Sequence, residues 1–383
     1  MTMPRLSSKA CMLVVLSGCI ALVLLAIRQY PDSDEDPISA NSQSAAESVK
    51  AISYNDSQAD ELLRTLCDLY KDGQVAGDLC NSLCYYYNQW HIVNYHTSTK
   101  HVIVLSFGGQ KLVLKSQMAD FTQYEPLDPD LLREERLSDY LDLIRNRVND
   151  HLGLGWSKDL VQHLIPVVWP PYMRSKQLSE ADKRSLWSLV QQEEYNTFAV
   201  LPLARVFPKL MGSCGNFYAV EYVVPFRMKT QYMNLRAKIL VHLMGTLKLF
   251  YEFINEPLHW CDVRFDSFGL SADYPKRFLL MDADLVFTES RMRRLMTQLG
   301  CRTDADCHFM DCEAKCDMGT RHCTRRLNDN VEVFCKKFVN TMFTSPYGYK
   351  NNRYISSCQD KNVTNEQRLR DLRVVWAWSL SDV

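Results

Sequence analysis

The sequence predicts an α+β fold in which a sheet-rich first lobe precedes a helical second lobe. Short runs of β-forming residues are gathered before the longest helical pattern, and no repeat period indicates a solenoid or propeller. The chain has 383 residues, of which 46 % are hydrophobic, enough for a large core. Its 44 basic and 45 acidic residues leave a net charge of −1. Charge therefore gives no reason to expect nucleic acid as a partner.

The N-terminal region predicts a membrane anchor. Residues 10–27 form an apolar run that reaches the lower limit for crossing a bilayer as a helix. Arg5 and Lys9 precede the run and an acidic stretch follows it, so we expect residues 1–9 in the cytosol and the remainder in the lumen. The alternative is a cleaved signal peptide. Against that alternative, the apolar run is long and no A-x-A-like cleavage site closes it.

Cysteine usage agrees with a lumenal location. Two of the fourteen cysteines lie inside the predicted anchor, and the other twelve indicate up to six disulfides in an oxidising compartment. Asn55 and Asn362 begin sequences that match the glycosylation acceptor pattern. The cysteines from Cys301 to Cys323, interleaved with His308 and His322, leave a zinc site as an alternative. Their spacing lacks paired C-x₂-C knuckles, so we predict disulfides and no specific zinc site.

The elements of the first lobe follow a stem. Residues 28–60 are rich in Ser, Asp, Glu, Ala and Asn, a composition typical of a flexible segment that buries no core. A cysteine-bearing segment then opens at Glu61 with leucines at helical spacing. Three runs, "QWHIVNY", "HVIVLSF" and "KLVLKS", predict an antiparallel meander with Lys115 near the end of its third strand.

Helical patterns dominate the remainder. A capping box at Ser179 and Asp182 begins a helical stretch that ends in "QQEEYNTF". The stretch "FPKLMGSCGNFYAVEYVVPF" predicts two strands around a Gly-Ser-Cys-Gly turn, and "NLRAKILVHLMGTLKLFYEFI" predicts a long helix with one apolar face. On this order, residues 61–220 form a cysteine-bearing first lobe. Residues 221–383 form a helical second lobe with a cysteine-rich segment at 301–335.

Two aspartate stretches follow the long helix, "HWCDVRFDSF" and "FLLMDADLVF". Phosphoryl transfer in kinases requires a strand lysine at the phosphates and a helix glutamate that orients the lysine. It also requires an aspartate at the substrate hydroxyl and an aspartate after a strand for Mg²⁺. These four groups occur in the required order as Lys115, Glu194, Asp262 and Asp282. Each residue alone is more often a solvated side chain or a turn residue, but their joint order favours a phosphoryl-transfer site.

The chain resembles the divergent protein kinase domain family 1, which comprises cysteine-rich type II membrane proteins of the endoplasmic reticulum. The resemblance covers essentially the whole chain beyond the stem. The segments that carry it, besides the anchor, are "CDLY…DLCNSLC", "LWSLVQQEEY", "GSCGNFYAVEYV", "HWCDVRFDSFGL", "LLMDADLVF" and "CRTDADCHFMDCEAKCDMGTRHC". It implies a two-lobed protein-kinase-like fold, stapled by disulfides behind an N-terminal signal-anchor helix. It also implies that the bulk of the chain lies in the lumen of the endoplasmic reticulum.

The resemblance implies a nucleotide site in the first lobe. By position, Lys115 would hold the phosphates of ATP and Glu194 would pair with it, with Glu193 as the neighbour that could take the same role. The separation of Lys115 from Glu194 is far longer than an ordinary kinase needs, so we expect a large insertion between them.

The resemblance also implies catalytic and metal residues in the second lobe. Asp262 would be the catalytic-loop aspartate of a D-x-K-x-x-N frame in which Arg264 replaces the lysine and Ser267 replaces the asparagine. Asp282 would bind Mg²⁺ or Mn²⁺, with Ser267 as a second ligand. A hydroxyl is a poorer metal ligand than an amide carbonyl.

Three departures from the kinase pattern leave the activity open. The turn "HTSTK" between the first two strands has no glycine, so its backbone cannot approach phosphates as a glycine-rich loop does. Ser267 is the second departure, and Ala283-Asp284 in place of Phe-Gly is the third. Asp284 is either an extra ligand or a charge facing water. The chain is therefore either an ATP-dependent kinase acting on secretory-pathway proteins or glycans, or a pseudokinase that serves as a binding or scaffolding module. A cysteine-rich adhesion or ligand-binding ectodomain is a third option.

Three acidic stretches partly resemble the calcium-binding loop of an EF-hand. Loops starting at Asp68, Asp128 and Asp304 each miss the central glycine or the final glutamate of D-x-[DN]-x-[DN]-G-x₅-E. No specific calcium site is predicted. The expected partners are the membrane, through the N-terminal helix, and a secretory-pathway protein.

Overall fold

The computed structural model divides the chain into two units, residues 1–54 and 55–383. The predicted anchor at residues 10–27 lies outside the described residues. None of the helices that are described is long and apolar enough to cross a membrane. The described residues are 42–201, 203–226, 236–253, 256–273, 276–343, 353–358, 360 and 362–381.

The first helix, α1 (Ser42–Lys71), begins inside the segment predicted to be a flexible stem. Residues 42–60 are therefore helical, a conformation that the sequence argument did not predict. The composition argument considered only the lack of core-forming residues, whereas the alanines and glutamate of this stretch are good helix formers. In the second unit, Leu63 and Leu66 of α1 are buried against the sheet described next.

A five-stranded antiparallel sheet forms the first lobe, in the order β1-β2-β3-β5-β4. The meander and the later strand pair predicted from sequence are both confirmed. The turn of the pair is Gly215-Asn216 rather than Gly-Ser-Cys-Gly, because β4 continues through Cys214. The strands are β1 (His91–Thr97), β2 (His101–Phe107), β3 (Gln110–Ser116), β4 (Leu210–Cys214) and β5 (Phe217–Glu221).

Helices fill the predicted insertion between Lys115 and Glu194. Their apolar residues belong to the same hydrophobic core as the long helix of the second lobe, so the insertion is an integral part of the fold. Before the sheet lies α2 (Cys80–Tyr85), and the helices after β3 are α3 (Leu137–Leu152), α4 (Val161–Val168), α5 (Tyr172–Ser175), α6 (Glu180–Val190) and α7 (Glu193–Val200). The predicted capping box is confirmed, with Ser179 and Asp182 at the start of α6.

The second lobe is built around α8 (Arg236–Tyr251), whose apolar face packs against short strands, two of which closely precede the aspartates. These strands are β6 (Val223–Pro225), β7 (Leu258–Trp260), β8 (Phe268–Ser271), β9 (Phe278–Leu280) and β10 (Val286–Thr288). After them come α9 (Glu289–Gln298), four two-residue strands β11 to β14 between His308 and Cys323, α10 (Asn330–Phe334), α11 (Asn340–Phe343), α12 (Arg353–Ser356) and α13 (Asn365–Ser381). A π-helical turn, Cys335–Val339, joins α10 to α11.

All twelve cysteines beyond the predicted anchor are paired, as expected for an oxidising compartment. Two bridges tie the first lobe together and four lie in the second. The pairs are Cys67–Cys84, Cys80–Cys214, Cys261–Cys312, Cys301–Cys316, Cys307–Cys323 and Cys335–Cys358.

Candidate active site

A buried ion pair joins the sheet to a helix. Strand β3 places Lys115 between Val102 and Tyr218 of the neighbouring strands, and Glu194 is the second residue of α7. Lys115 Nζ donates to Glu194 Oε1 at 2.7 Å and to the carbonyl of Met281 at 2.6 Å. The two side chains are 7 % and 2 % exposed. This is the lysine–glutamate contact that the sequence predicted.

The adjacent glutamate has a different partner. Glu193 accepts from Arg291 at 3.2 Å and is 40 % exposed. Glu194, not Glu193, therefore pairs with Lys115. The two adjacent glutamates reach different partners because successive residues of a helix point about 100° apart.

A second lysine enters the same cluster, and sequence reasoning missed it. Lys100, in the turn between β1 and β2, places its Nζ 3.1 Å from Asp282 Oδ1 and 2.8 Å from Asp284 Oδ2. The same ammonium contacts Glu194 Oε2, and its side chain is only 12 % exposed. The one available signal was the final lysine of "HTSTK", a turn that the sequence argument considered only for its missing glycine.

The close packing of charged groups in the cluster shifts their pKa values. Burial alone would raise the pKa of Glu194, but Lys100 and Lys115 outweigh it and lower that pKa to about 2. Burial and the neighbouring Glu194 raise the pKa of Asp284 to about 6, against the opposing effect of Lys100. Burial disfavours the charged form of Lys100, yet the surrounding carboxylates more than compensate and raise its pKa. Tyr218 donates its hydroxyl to Glu194 Oε2 at 2.9 Å.

Asp262 lies shortly after β7 and lines the same cavity as these groups. Arg264 Nη2 lies 2.8 Å from Asp262 Oδ2, with the arginine half-exposed and the aspartate 15 % exposed. Burial, reinforced by the charge of Asp282 and opposed by Arg264, raises the pKa of Asp262. A carboxylate with a raised pKa is a better proton acceptor, which suits a group that receives or orients a substrate hydroxyl.

Ser267 is the one predicted residue that the structure does not bring to the cluster. It ends a short 3₁₀ turn, Phe265–Ser267, and only 4 % of the residue is exposed. Its carbonyl accepts from the Met281 N–H at 2.8 Å, but Ser267 is not among the residues that line the cavity in the described part of the chain. The match to D-x-K-x-x-N assumed the conformation of a kinase catalytic loop. In this chain, the 3₁₀ turn buries Ser267 instead.

The charged groups surround a cavity of 390 Å³, a size typical of small-molecule sites. Lys115 lies behind Glu194 and is not part of the cavity wall. The charged residues of the wall are Lys100, Glu193, Glu194, Asp262, Arg264, Asp282 and Asp284.

The donor set fits a divalent cation. One oxygen each from Glu194, Asp282 and Asp284 lie within 4.8 Å of one another, and carboxylate oxygens are the ligands that Mg²⁺ and Mn²⁺ prefer. Such a metal, bound with ATP, would neutralise the charge of the phosphates. The ammonium of Lys100 contacts the same three carboxylates, so a metal there requires Lys100 to leave.

The stretch around Asp262 is bonded to the cysteine-rich segment. The disulfide Cys261–Cys312 bonds the residue before Asp262 to that segment. Next to it, Asp311 accepts from the Val263 N–H at 2.8 Å, and its own N–H donates to the carbonyl of Cys261 at 2.8 Å.

The cysteines of the same segment form disulfides rather than a zinc site. The sulfurs of Cys301, Cys307 and Cys323 lie within 4.8 Å of one another, as in a metal site. Each of them is bonded to another sulfur, however, in Cys301–Cys316 and Cys307–Cys323. A disulfide sulfur is not a thiolate and does not serve as a zinc ligand. The close approach is therefore that of two packed disulfides.

A strand lysine bonded to a helix glutamate, facing two aspartates after the long helix, defines a protein-kinase-like domain. The sequence model of the family described as the protein-kinase domain of FAM69 matches residues 186–362, which contain Glu194, Asp262 and Asp282. This part of the chain is therefore similar to that divergent kinase-like family. Both lysines of the cluster precede the matched segment.

Solved structures of two Mycobacterium tuberculosis proteins share a low overall similarity with the chain. The kinase domain of PknI is 10 % identical, with 77 % of this chain and 96 % of that chain covered and a TM-score of 0.33. Rv3197 in complex with erythromycin is 13 % identical, with 76 % and 71 % covered and a TM-score of 0.23. At these scores neither likeness carries an argument about function.

Proposed function

We propose that the chain is a divergent, ATP-dependent kinase of the secretory pathway that transfers phosphate to a protein substrate. The observation that carries this proposal is the Lys115–Glu194 contact of 2.7 Å beside a cavity that Asp262 and Asp282 also line. Lysine, glutamate and two aspartates in this arrangement are what phosphoryl transfer requires of a protein.

Each residue has a role in the proposal. Glu194 orients Lys115, whose positive charge lies beside the cavity that would hold the phosphates, and Asp282 binds Mg²⁺ or Mn²⁺. Asp262 receives or orients the substrate hydroxyl, and Arg264 holds the carboxylate of Asp262 in place at 2.8 Å. The sequence also made Ser267 a metal ligand; its burial away from the cavity wall gives that assignment no support, and Asp284 is the better candidate.

The proposed location is the lumen of the endoplasmic reticulum, with residues 10–27 as a single-pass type II anchor. Six disulfides support a compartment that permits them. The acceptor sequences at Asn55 and Asn362 support glycosylation in the same compartment. The membrane and an unidentified secretory-pathway protein are the proposed partners.

A pseudokinase is the second candidate, and one observation favours it. Lys100 binds the carboxylates that would hold the metal, and a site held in this way would bind no nucleotide. The domain would then serve as a binding or scaffolding module.

Asp262→Asn separates the two candidates. If the chain is a kinase, this change is expected to lower phosphate transfer from radiolabelled ATP about hundredfold or more, the usual contribution of a positioned proton acceptor. Transfer is measured to casein and to the chain itself, with Mn²⁺ present. The control is Asp266→Asn, because Asp266 lies in the same stretch but is 70 % exposed. An Asp262→Asn protein that transfers phosphate at the wild-type rate would contradict the kinase proposal.

A further inference from the structure

We propose that Lys100 is a tethered cation that occupies the metal position of the cleft and must leave before a divalent metal binds. The inference rests on the proposed function, because it concerns the metal that phosphoryl transfer requires. Its geometric basis is that a single ammonium contacts all three carboxylates of the cluster, those of Glu194, Asp282 and Asp284.

Lys100 is an addition to what a kinase-like site needs. Lys115 already provides the lysine that pairs with the helix glutamate, and its Nζ is fixed by Glu194 and by the carbonyl of Met281. Two ammonium groups against three carboxylates leave one negative charge uncompensated. A divalent cation in place of Lys100 would neutralise the cluster completely.

Metal and ammonium cannot share the position. Mg²⁺ requires oxygens at about 2.0–2.1 Å, whereas the Lys100 nitrogen lies 2.8 Å from Asp284 and 3.1 Å from Asp282. Two cations held by the same oxygens would also repel each other strongly at short range. Occupation by one therefore excludes the other.

The position of Lys100 in the chain allows a metal ion to replace its ammonium group. It ends the turn between β1 and β2, where an ordinary kinase has its glycine-rich loop, and the neighbouring Thr99 also lines the cavity. A lysine ammonium is strongly hydrated and sits on a flexible four-carbon stem, so side-chain rotation is enough to return it to water. Lys115 has no such route, because it projects from within a strand and is 7 % exposed.

The first test is binding of Mn²⁺ alone to the purified full chain, followed through the electron paramagnetic resonance signal of free Mn²⁺. If Lys100 occupies the metal position for most of the time, only a fraction of the molecules has an open metal site. The observed affinity for Mn²⁺ is then the intrinsic affinity multiplied by that fraction. Lys100→Met should then bind Mn²⁺ about tenfold to hundredfold more tightly than the wild type. The control is Lys111→Met, which removes the same charge from the same sheet. Lys111 lies over the ring of Tyr222, 5.0 Å from its centroid, and should leave Mn²⁺ binding unchanged.

A second measurement needs no variant, in case Lys100→Met does not fold. Lysines of the wild-type chain are acetylated with and without saturating Mn²⁺ and quantified by mass spectrometry. Acetylation of Lys100 should increase several-fold with Mn²⁺, because the displaced ammonium becomes exposed, whereas that of Lys111 should not change. Unchanged acetylation of Lys100 while Mn²⁺ is bound would overturn the inference.

The outcomes separate this inference from the proposed function. Equal or weaker Mn²⁺ binding by Lys100→Met overturns the tethered-cation role. If ATP with Mn²⁺ nevertheless binds, the kinase proposal stands and Lys100 is then better explained as a phosphate ligand. Conversely, tighter Mn²⁺ binding by Lys100→Met without any ATP binding supports the inference and contradicts the kinase proposal.

Discussion

Replacement of Glu194 by glutamine is expected to lower the free energy of unfolding by about 3 to 5 kcal/mol. Glu194 is 2 % exposed and binds both Lys100 and Lys115, so the change leaves two largely buried ammonium groups without their shared carboxylate. Removal of one partner from a buried ion pair typically costs this much, because the remaining charge stays desolvated. Urea unfolding of the two proteins measures the difference.

The chain offers a matched control one residue away. Glu193→Gln makes the same chemical change at a side chain that is 40 % exposed and pairs with Arg291. An ion pair of that exposure contributes about 0 to 1 kcal/mol. Similar losses for the two variants would show that Lys115 does not depend on Glu194.

The stability lost in Glu194→Gln should depend on pH, because the pKa of Glu194 is lowered in the folded protein. The folded-state pKa is about 2 and the ordinary value is 4.5, so the folded protein holds this proton less tightly than the unfolded chain does. Stability from the ionised carboxylate is therefore complete above about pH 4.5 and is lost as the pH falls toward 2. The difference between wild type and Glu194→Gln should shrink over this range.

Joint replacement of Cys261 and Cys312 by alanine is expected to lower the free energy of unfolding by about 4 kcal/mol. The disulfide closes a loop with a sequence separation of 51, and the chain-entropy estimate for a loop of this length gives that value. The pair Cys301–Cys316 spans only 15 residues and serves as the control, with an expected loss of about 3 kcal/mol.

The two disulfides should differ more in function than in stability. Cys261 directly precedes Asp262, and the hydrogen bonds of Asp311 reach the same stretch from the residue beside Cys312. Loss of this bridge should reduce phosphate transfer at least tenfold under conditions where both variants are folded, because small displacements of a positioned group cost this much or more. Equal transfer by the two variants would show that the bridge does not position Asp262.

Short sequence patterns predicted the strands and helices that are set by interactions between residues close together in the chain. Runs of β-forming residues predicted β1, β2 and β3, the capping box predicted the start of α6, and the apolar face predicted α8. The order of Lys115, Glu194, Asp262 and Asp282 predicted that they would meet, since a kinase-like order of elements brings these positions to one cleft. The number of disulfides followed from the cysteine count, but their pairing did not, because a sequence allows many connectivities.

Sequence reasoning failed where the outcome depended on distant contacts. Lys100 is separated from Glu194 by 94 residues and from Asp284 by 184, so no spacing rule connects them. Ser267 matched a spacing, but the turn that buries it was not visible in the spacing. The helix over residues 42–60 was missed because composition described what the segment cannot bury rather than which backbone conformation it prefers.

Thermal unfolding of the purified full chain with ATP and Mn²⁺ tests the central claim, that the cleft is a metal-dependent nucleotide site, most directly. A ligand that binds only the folded state at a hundred times its dissociation constant adds about 2.7 kcal/mol. For a chain of this size, that predicts a rise in Tm of about 3 to 4 °C that needs both ATP and Mn²⁺. Asp282→Asn should abolish the rise, and the exposed Asp266→Asn should preserve it. An unchanged Tm at millimolar ATP and Mn²⁺, or a rise that survives Asp282→Asn, would contradict the account.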